Sequence, residues 1–102
     1  MEKLLKNIEL LRQQIDDTDK ELVKLLNRRA QYADKIGEIK RYLNMPVYVP
    51  EREEQVIAHI QSGNPGPLSN EALRRLYERI IDESRRLESD NYKKRRLNKE
   101  DI

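Results

Sequence analysis

From Leu4 to Leu43 no proline interrupts the chain, and one set of positions recurs at alternating steps of four and three. These are Leu4, Ile8, Leu11, Ile15, Thr18, Leu22, Leu25, Arg29, Tyr32, Ile36, Ile39 and Leu43. Ten of the twelve are apolar or aromatic, and the spacing is the heptad stripe of a helix that packs along its whole length. It commits this part of the sequence to a single helix of about 40 residues, about 60 Å long. Gly37 is its one weak interior point. Thr18 is a mild exception to the stripe and Arg29 a severe one. A guanidinium inside a helix–helix seam is costly unless an anion meets it or the side chain snorkels to water.

Two shorter helices follow. Asn44-Met45-Pro46 stops the first, because a proline ring disfavours helical geometry in the residue before it. Val47-Tyr48-Val49 reads as an extended link. Pro50 then takes a first-turn position with Glu51, Glu53 and Glu54, the acidic start that suits a helix N-terminus. This helix carries Val56, Ile57 and Ile60 and ends at Ser62-Gly63-Asn64-Pro65-Gly66-Pro67. Ser69 caps the third, whose apolar face reads Leu73, Leu76, Tyr77, Ile80, Ile81, Ser84 and Leu87. The sequence therefore predicts an all-α chain of three helices. Helices of about 13 and about 22 residues cannot cover so long a stripe from within one compact monomer. An intertwined helical homodimer with C2 symmetry is the expected solution.

With 102 residues, the chain is one domain at most. Charged residues make up 39%, and Phe, Trp and Cys are absent. That composition suits amphipathic helices with charged outer faces and excludes disulfides and thiolate metal sites. His59, the sole histidine, reads as a surface residue of the second helix, and no metal or cofactor is expected. No apolar run reaches membrane-spanning length and the N-terminus lacks a signal-peptide core, so a soluble cytoplasmic protein is the default.

The formal net charge of +2 is unevenly divided. Residues 1–88 carry 16 basic and 16 acidic side chains. The excess lies in Lys93, Lys94, Arg95, Arg96 and Lys99, set against Asp90, Glu100 and Asp101. Residues 1–90 are thus read as the helical domain and 91–102 as a basic tail with a frayed helix end. No aromatic platform accompanies the tail, so nucleic acid is not an expected partner.

The polar residues that break the apolar faces form a second pattern. Arg29 and Lys40, eleven residues apart, project from nearly the same helix face. Arg52 and Glu53 lie in the first turn of the second helix, and Ser84 and Glu88 are an i, i+4 pair on the third. Arg12 precedes Arg29 by seventeen residues, about 25 Å along the axis and turned roughly 100° away. In an antiparallel dimer, Arg12 of one chain approaches Arg29 of the other. Several cations in an otherwise apolar bundle describe a pocket for a small, multiply anionic molecule.

Four fragments resemble the all-α (type II) chorismate mutases when taken in order and spacing. They are Leu11-Arg12-Gln13-Gln14-Ile15-Asp16, Leu25-Leu26-Asn27-Arg28-Arg29 through Lys40, Pro50-Glu51-Arg52-Glu53, and Ile80-Ile81-Asp82-Glu83-Ser84 followed by Glu88. The resemblance covers about residues 4–89. It implies intertwined helical dimers, which in this family also occur fused to prephenate-processing or aldol-type enzymes.

It also implies roles. Arg12 from the partner subunit and Arg29 clamp the substrate's two carboxylates. Lys40 donates to the enol-ether oxygen, with Glu88 on that oxygen's other side. Arg52 supports the charged pocket, Glu53 accepts from the ring hydroxyl and Ser84 adds a polar contact near a carboxylate. Val49 stands where some members have an acidic residue, so any contact there comes from backbone. At position 88 some members have Gln, which donates at every pH, whereas Glu88 donates only when protonated.

The implied reaction, chorismate to prephenate in phenylalanine and tyrosine biosynthesis, is an intramolecular Claisen rearrangement that needs no nucleophile, metal or cofactor. An isochorismate–pyruvate lyase on the same scaffold is the nearest rival, and a regulatory or dimerisation domain of an aromatic-pathway enzyme is another. Action with an aromatic-pathway synthase partner stays open. Each site residue also has a bland account: Lys40, Arg52 and Glu53 as solvated charges, Ser84 as packing filler, Glu88 paired with Arg85 or Lys93.

Overall fold

The computed structural model describes the backbone of residues 1–100 and the side chains of residues 1–96. It contains three helices, α1 (Glu2–Tyr42), α2 (Pro50–Ser62) and α3 (Asn70–Glu100), and no strand among the described residues. The predicted all-α architecture with one very long first helix is what the chain adopts. No helix among the described residues is long and apolar enough to cross a membrane. The fold divides into two compact units, Met1–Gln31 and Tyr32–Ile102.

In the first unit the stripe stands in the open. Leu4, Ile8, Leu11, Ile15, Leu22 and Leu25 keep between 45% and 67% of their surface exposed. Thr18 is exposed there, and its hydroxyl donates to the Gln14 carbonyl at 2.7 Å, the i−4 bond that a helical threonine makes. Arg12 is exposed and Arg29 is half-buried.

In the second unit each junction has a local cause. The end of α1 is closed by Asn44, whose φ of 56° is left-handed. The Met45 N–H donates to the Lys40 carbonyl at 2.7 Å and the Asn44 N–H to the Arg41 carbonyl at 3.2 Å, the paired bonds of a Schellman motif. Pro46 follows and prevents a restart. Val49 is extended and caps α2 without a side-chain bond, ahead of Pro50 in the first turn. The Ser69 hydroxyl accepts the Ala72 N–H at 3.1 Å, the predicted cap of α3. Between them Asn64 holds the turn, donating to the Leu68 carbonyl at 2.8 Å and accepting the Gly66 N–H at 2.9 Å. The exposed fork between Arg74 and Glu54, 3.2 Å on each limb, joins α2 to α3. Water screens such a surface pair, so it fixes register more than it adds stability.

The α3 helix differs from its expected length. The basic run read as a frayed tail over 91–102 instead continues the helix to Glu100, giving 31 residues. The reason is non-local. Arg95 pairs with Asp34 at 2.8 Å and approaches Glu38 at 3.7 Å. One turn earlier, the Arg41 guanidinium lies 4.0 Å over the ring of Tyr92. The side chains of Lys99 and Glu100, and all of Asp101, lie outside the described residues.

Among the described residues the buried apolar side chains are Ile57 on α2 and Ile81 on α3, accompanied by the buried Ser84. At about 1.5–3 kcal/mol for each fully buried aliphatic side chain, that pair is far below the ordering entropy of a chain this size.

Candidate functional site

The site residues of the second unit gather around the last turns of α1. Lys40 is half-buried and its carbonyl is the one that closes the Schellman motif. One turn back lies Gly37, the buried residue of α1. Glu88 of α3 crosses α1 here. A Cβ placed on Gly37 would stand 3.1 Å from the Glu88 Oε2 and 3.3 Å from its Cδ. Arg41 donates to the Glu88 carbonyl at 3.3 Å, fixing the α3 backbone at the same level.

The electrostatics follow from that crossing. Burial pushes the Glu88 carboxyl above the usual carboxylate range, and the Asp34 charge pushes the same way. Arg41, Lys40 and Arg85 pull against it through their fields without reversing the direction. Sequence alone leaves burial and the Lys40 charge in competition at Glu88; in the fold, burial wins. Asp34 moves oppositely: the hydrogen bond from Arg95 holds its carboxyl below the ordinary value. The pKa values of two carboxyls near one helix end are thus pushed apart, Glu88 upward and Asp34 downward.

Around α2 the arrangement is only partly the expected one. The Arg85 guanidinium pairs with Glu53, not with Glu88, and lies 4.0 Å over the Tyr48 ring. Glu53 is therefore already held by a cation. The Val49 carbonyl accepts the N–H groups of Arg52 and Glu53 at 3.0 and 3.3 Å. Those two bonds use both of its lone pairs, so a backbone contact from Val49 falls to its N–H. Arg52 is exposed. Ser84 is 7% exposed, one turn before Glu88 on the same helix.

The fold brings Lys40 and Glu88 into one electrostatic neighbourhood and couples Glu53 to α3 through Arg85. Arg12 and Arg29 belong to the first unit. Gly37, Arg41, Asp34, Tyr48 and Arg85 gain parts the sequence did not assign. For Gly37 there was a signal, a helix-weakening residue three before Lys40. For Arg41 there was none. A groove of about 1030 Å³ runs along the ends of α1 and α3, lined by Ile39, Tyr42, Tyr92 and Arg96 among others; neither Lys40 nor Glu88 lines it. Chemically, Glu88 is an acid whose proton is held more strongly than usual, within the field of the Lys40 cation.

The chorismate mutase type II family model matches residues 11–89. The chain is 41% identical over 81 residues to a bifunctional chorismate mutase/prephenate dehydratase of Aquifex aeolicus (strain VF5), an overlap of 76% of this chain and 22% of the relative. A chorismate mutase of Methanocaldococcus jannaschii is 31% identical over 58 residues, 57% of this chain and 59% of the relative. The solved structure of form II of the chorismate mutase from Thermus thermophilus superposes with a TM-score of 0.79 at 35% identity. That overlap covers 81% of this chain and 94% of that one. The chain spans 22% and 19% of the lengths of two bifunctional relatives that it matches.

Proposed function

This chain belongs to the chorismate mutase type II family, and from that premise we propose that it rearranges chorismate to prephenate on a site shared between two copies of itself. The observation that supports this most directly is a Glu88 carboxyl, within the field of Lys40, whose proton is held more strongly than usual. As the ether carbon–oxygen bond breaks and the new carbon–carbon bond forms, negative charge grows on the ether oxygen. Lys40 and protonated Glu88 donate to it from opposite sides. Arg29, and Arg12 from the second copy, clamp the carboxylates and hold the reactive chair-like conformer, an orientation contribution. Arg52, Glu53, Ser84 and the Val49 backbone complete the pocket in supporting roles.

What the chain leaves uncovered supports the dimer. The apolar stripe of α1 is open to water from Leu4 to Leu43, and exposed apolar faces of that extent mark interaction surfaces. A second α1 laid along it buries both stripes and supplies the missing core.

The assay is direct. Incubated with chorismate, the protein should consume it and yield prephenate; with isochorismate, it should release no pyruvate. Loss of isochorismate with pyruvate release, and no prephenate from chorismate, would transfer the chain to the lyase reading.

A pH profile tests Glu88. Its raised pKa means that the donating, protonated form is favoured as pH falls and is lost as pH rises through that value. Turnover should therefore increase toward acid until substrate-binding charge or the fold is lost. Glu88→Gln donates at every pH, so that variant should keep activity and lose the acidic preference. The measurement is kcat/KM against pH for both proteins. Parallel profiles, or a folded but inactive Gln variant, would remove Glu88 from the ether oxygen.

A further inference from the structure

We propose that Gly37 is a positioning residue, its missing side chain forming the seat on which the Glu88 carboxyl rests beside Lys40. The inference builds on the role proposed for Glu88. Glycine inside a helix weakens it relative to alanine, so its presence within α1, five residues before the helix ends, needs a reason. Backbone conformation is not the reason, because the glycine with positive φ is Gly66. Space is. A Cβ at position 37 would meet the end of the Glu88 side chain at 3.1 Å (Oε2), 3.3 Å (Cδ) and 3.5 Å (Cγ). The first two are closer than the optimum for packed heavy atoms, about 3.5–4.0 Å. The Glu88 carboxyl thus lies on the bare backbone of α1, so close that a Cβ at 37 would make it give by a few tenths of an ångström.

The seat also sets direction. Lys40 is three residues beyond Gly37, on the same helix face, so lowering the carboxyl onto position 37 brings it alongside the lysine. The other charges that face it are Arg41 and Asp34 on α1 and Arg85 on its own helix. Two of these are themselves tied down: Asp34 by Arg95, and Arg85 by Glu53 of α2. With those charges held, depth on the helix is the variable that the residue at 37 controls. A methyl group there makes the carboxyl give by a few tenths of an ångström, outward and away from Lys40.

The test is Gly37→Ala, made in the natural sequence and in a Glu88→Ala background, with kcat, KM and the pH profile measured for each. In the natural sequence kcat should fall about 10- to 100-fold with KM little changed, the signature of a misplaced group and not of lost binding. The helix content should be kept, since alanine is the better helix former. The acidic preference should move to lower pH as Glu88 regains water. In the Glu88→Ala background Gly37→Ala should cause no further loss, because the residue acts only through the carboxyl. Full activity of Gly37→Ala, or an equal loss in both backgrounds, would overturn the inference.

Full activity of Glu88→Ala alone would instead defeat the catalytic role of Glu88. The seat is then judged by ¹³C titration of the Glu88 carboxyl, whose pKa should drop in Gly37→Ala; an unchanged value overturns it. Should Gly37→Ala fail to fold, the contact predicts that adding Glu88→Ala restores folding, and failure to do so counts against it.

Discussion

Lys40→Ala lowers kcat by about 10²–10³ while KM changes much less, the range for losing one preorganised donor to a developing oxyanion. The asymmetry follows from when the interaction is made. In bound chorismate the ether oxygen is nearly neutral and the ammonium gains little from it. In the transition state of the proposed reaction the oxygen carries negative charge, and to it the half-buried ammonium of Lys40 is worth far more. Arg29→Ala should be comparably damaging in kcat/KM but should raise KM as well, since a carboxylate is fully charged before and after reaction. Arg28 is the internal control. It is exposed, whereas Arg29 is half-buried, and Arg28→Ala should leave kcat/KM nearly intact. Steady-state kinetics on the three variants, each checked for helix content, decides this. Equal damage at 28 and 29 would mean that the stripe faces elsewhere.

Mixing two dead variants should regenerate a live enzyme. If Arg12 serves the site of the opposite copy, Arg12→Ala and Arg29→Ala homodimers each lack one clamp in both sites. After exchange, a mixed dimer carries both lesions in one site and none in the other. Random pairing of equal amounts then restores about a quarter of the natural activity, starting from almost none. Exchange needs independent proof, by mass spectrometry of isotopically distinct chains or by energy transfer between labelled ones. If exchange is complete and activity stays flat, both arginines act within one chain and the shared site is wrong. Sedimentation equilibrium showing a folded monomer at micromolar concentration would have the same force.

Most of the helical architecture could be read locally because its stops are local. Pro46, Pro50 and Ser69 each act on the residues beside them, and the junctions at Asn44, Val49 and Ser69 fall where those residues put them. The length of α3 could not be read this way. Nothing periodic marks residues 91–96, and their helix is held through Asp34 and Arg41, partners lying far away along the chain. The site divides on the same line. Lys40, Ser84 and Glu88 were visible as polar breaks in apolar faces. The Arg85–Glu53 pair joins two surface-looking charges, and the weight of Gly37 depends on a carboxyl 51 residues later. Such couplings are properties of the tertiary contact, and no window of sequence contains both halves.

The left-handed Asn44 has a consequence for the entropy of each encounter. The last turn of a helix ordinarily frays, and a lysine rooted there would sample many backbone origins before its side chain is even considered. The bond from Met45 to the Lys40 carbonyl anchors that origin. What remains to be ordered when a substrate arrives is a four-carbon stem, the residual freedom of one side chain instead of a turn of helix. Asparagine is one of the few residues besides glycine that hold this backbone angle readily. If Lys40 has its proposed role, Asn44, four residues along the chain, thereby helps decide how often the ammonium is already in place when a substrate arrives.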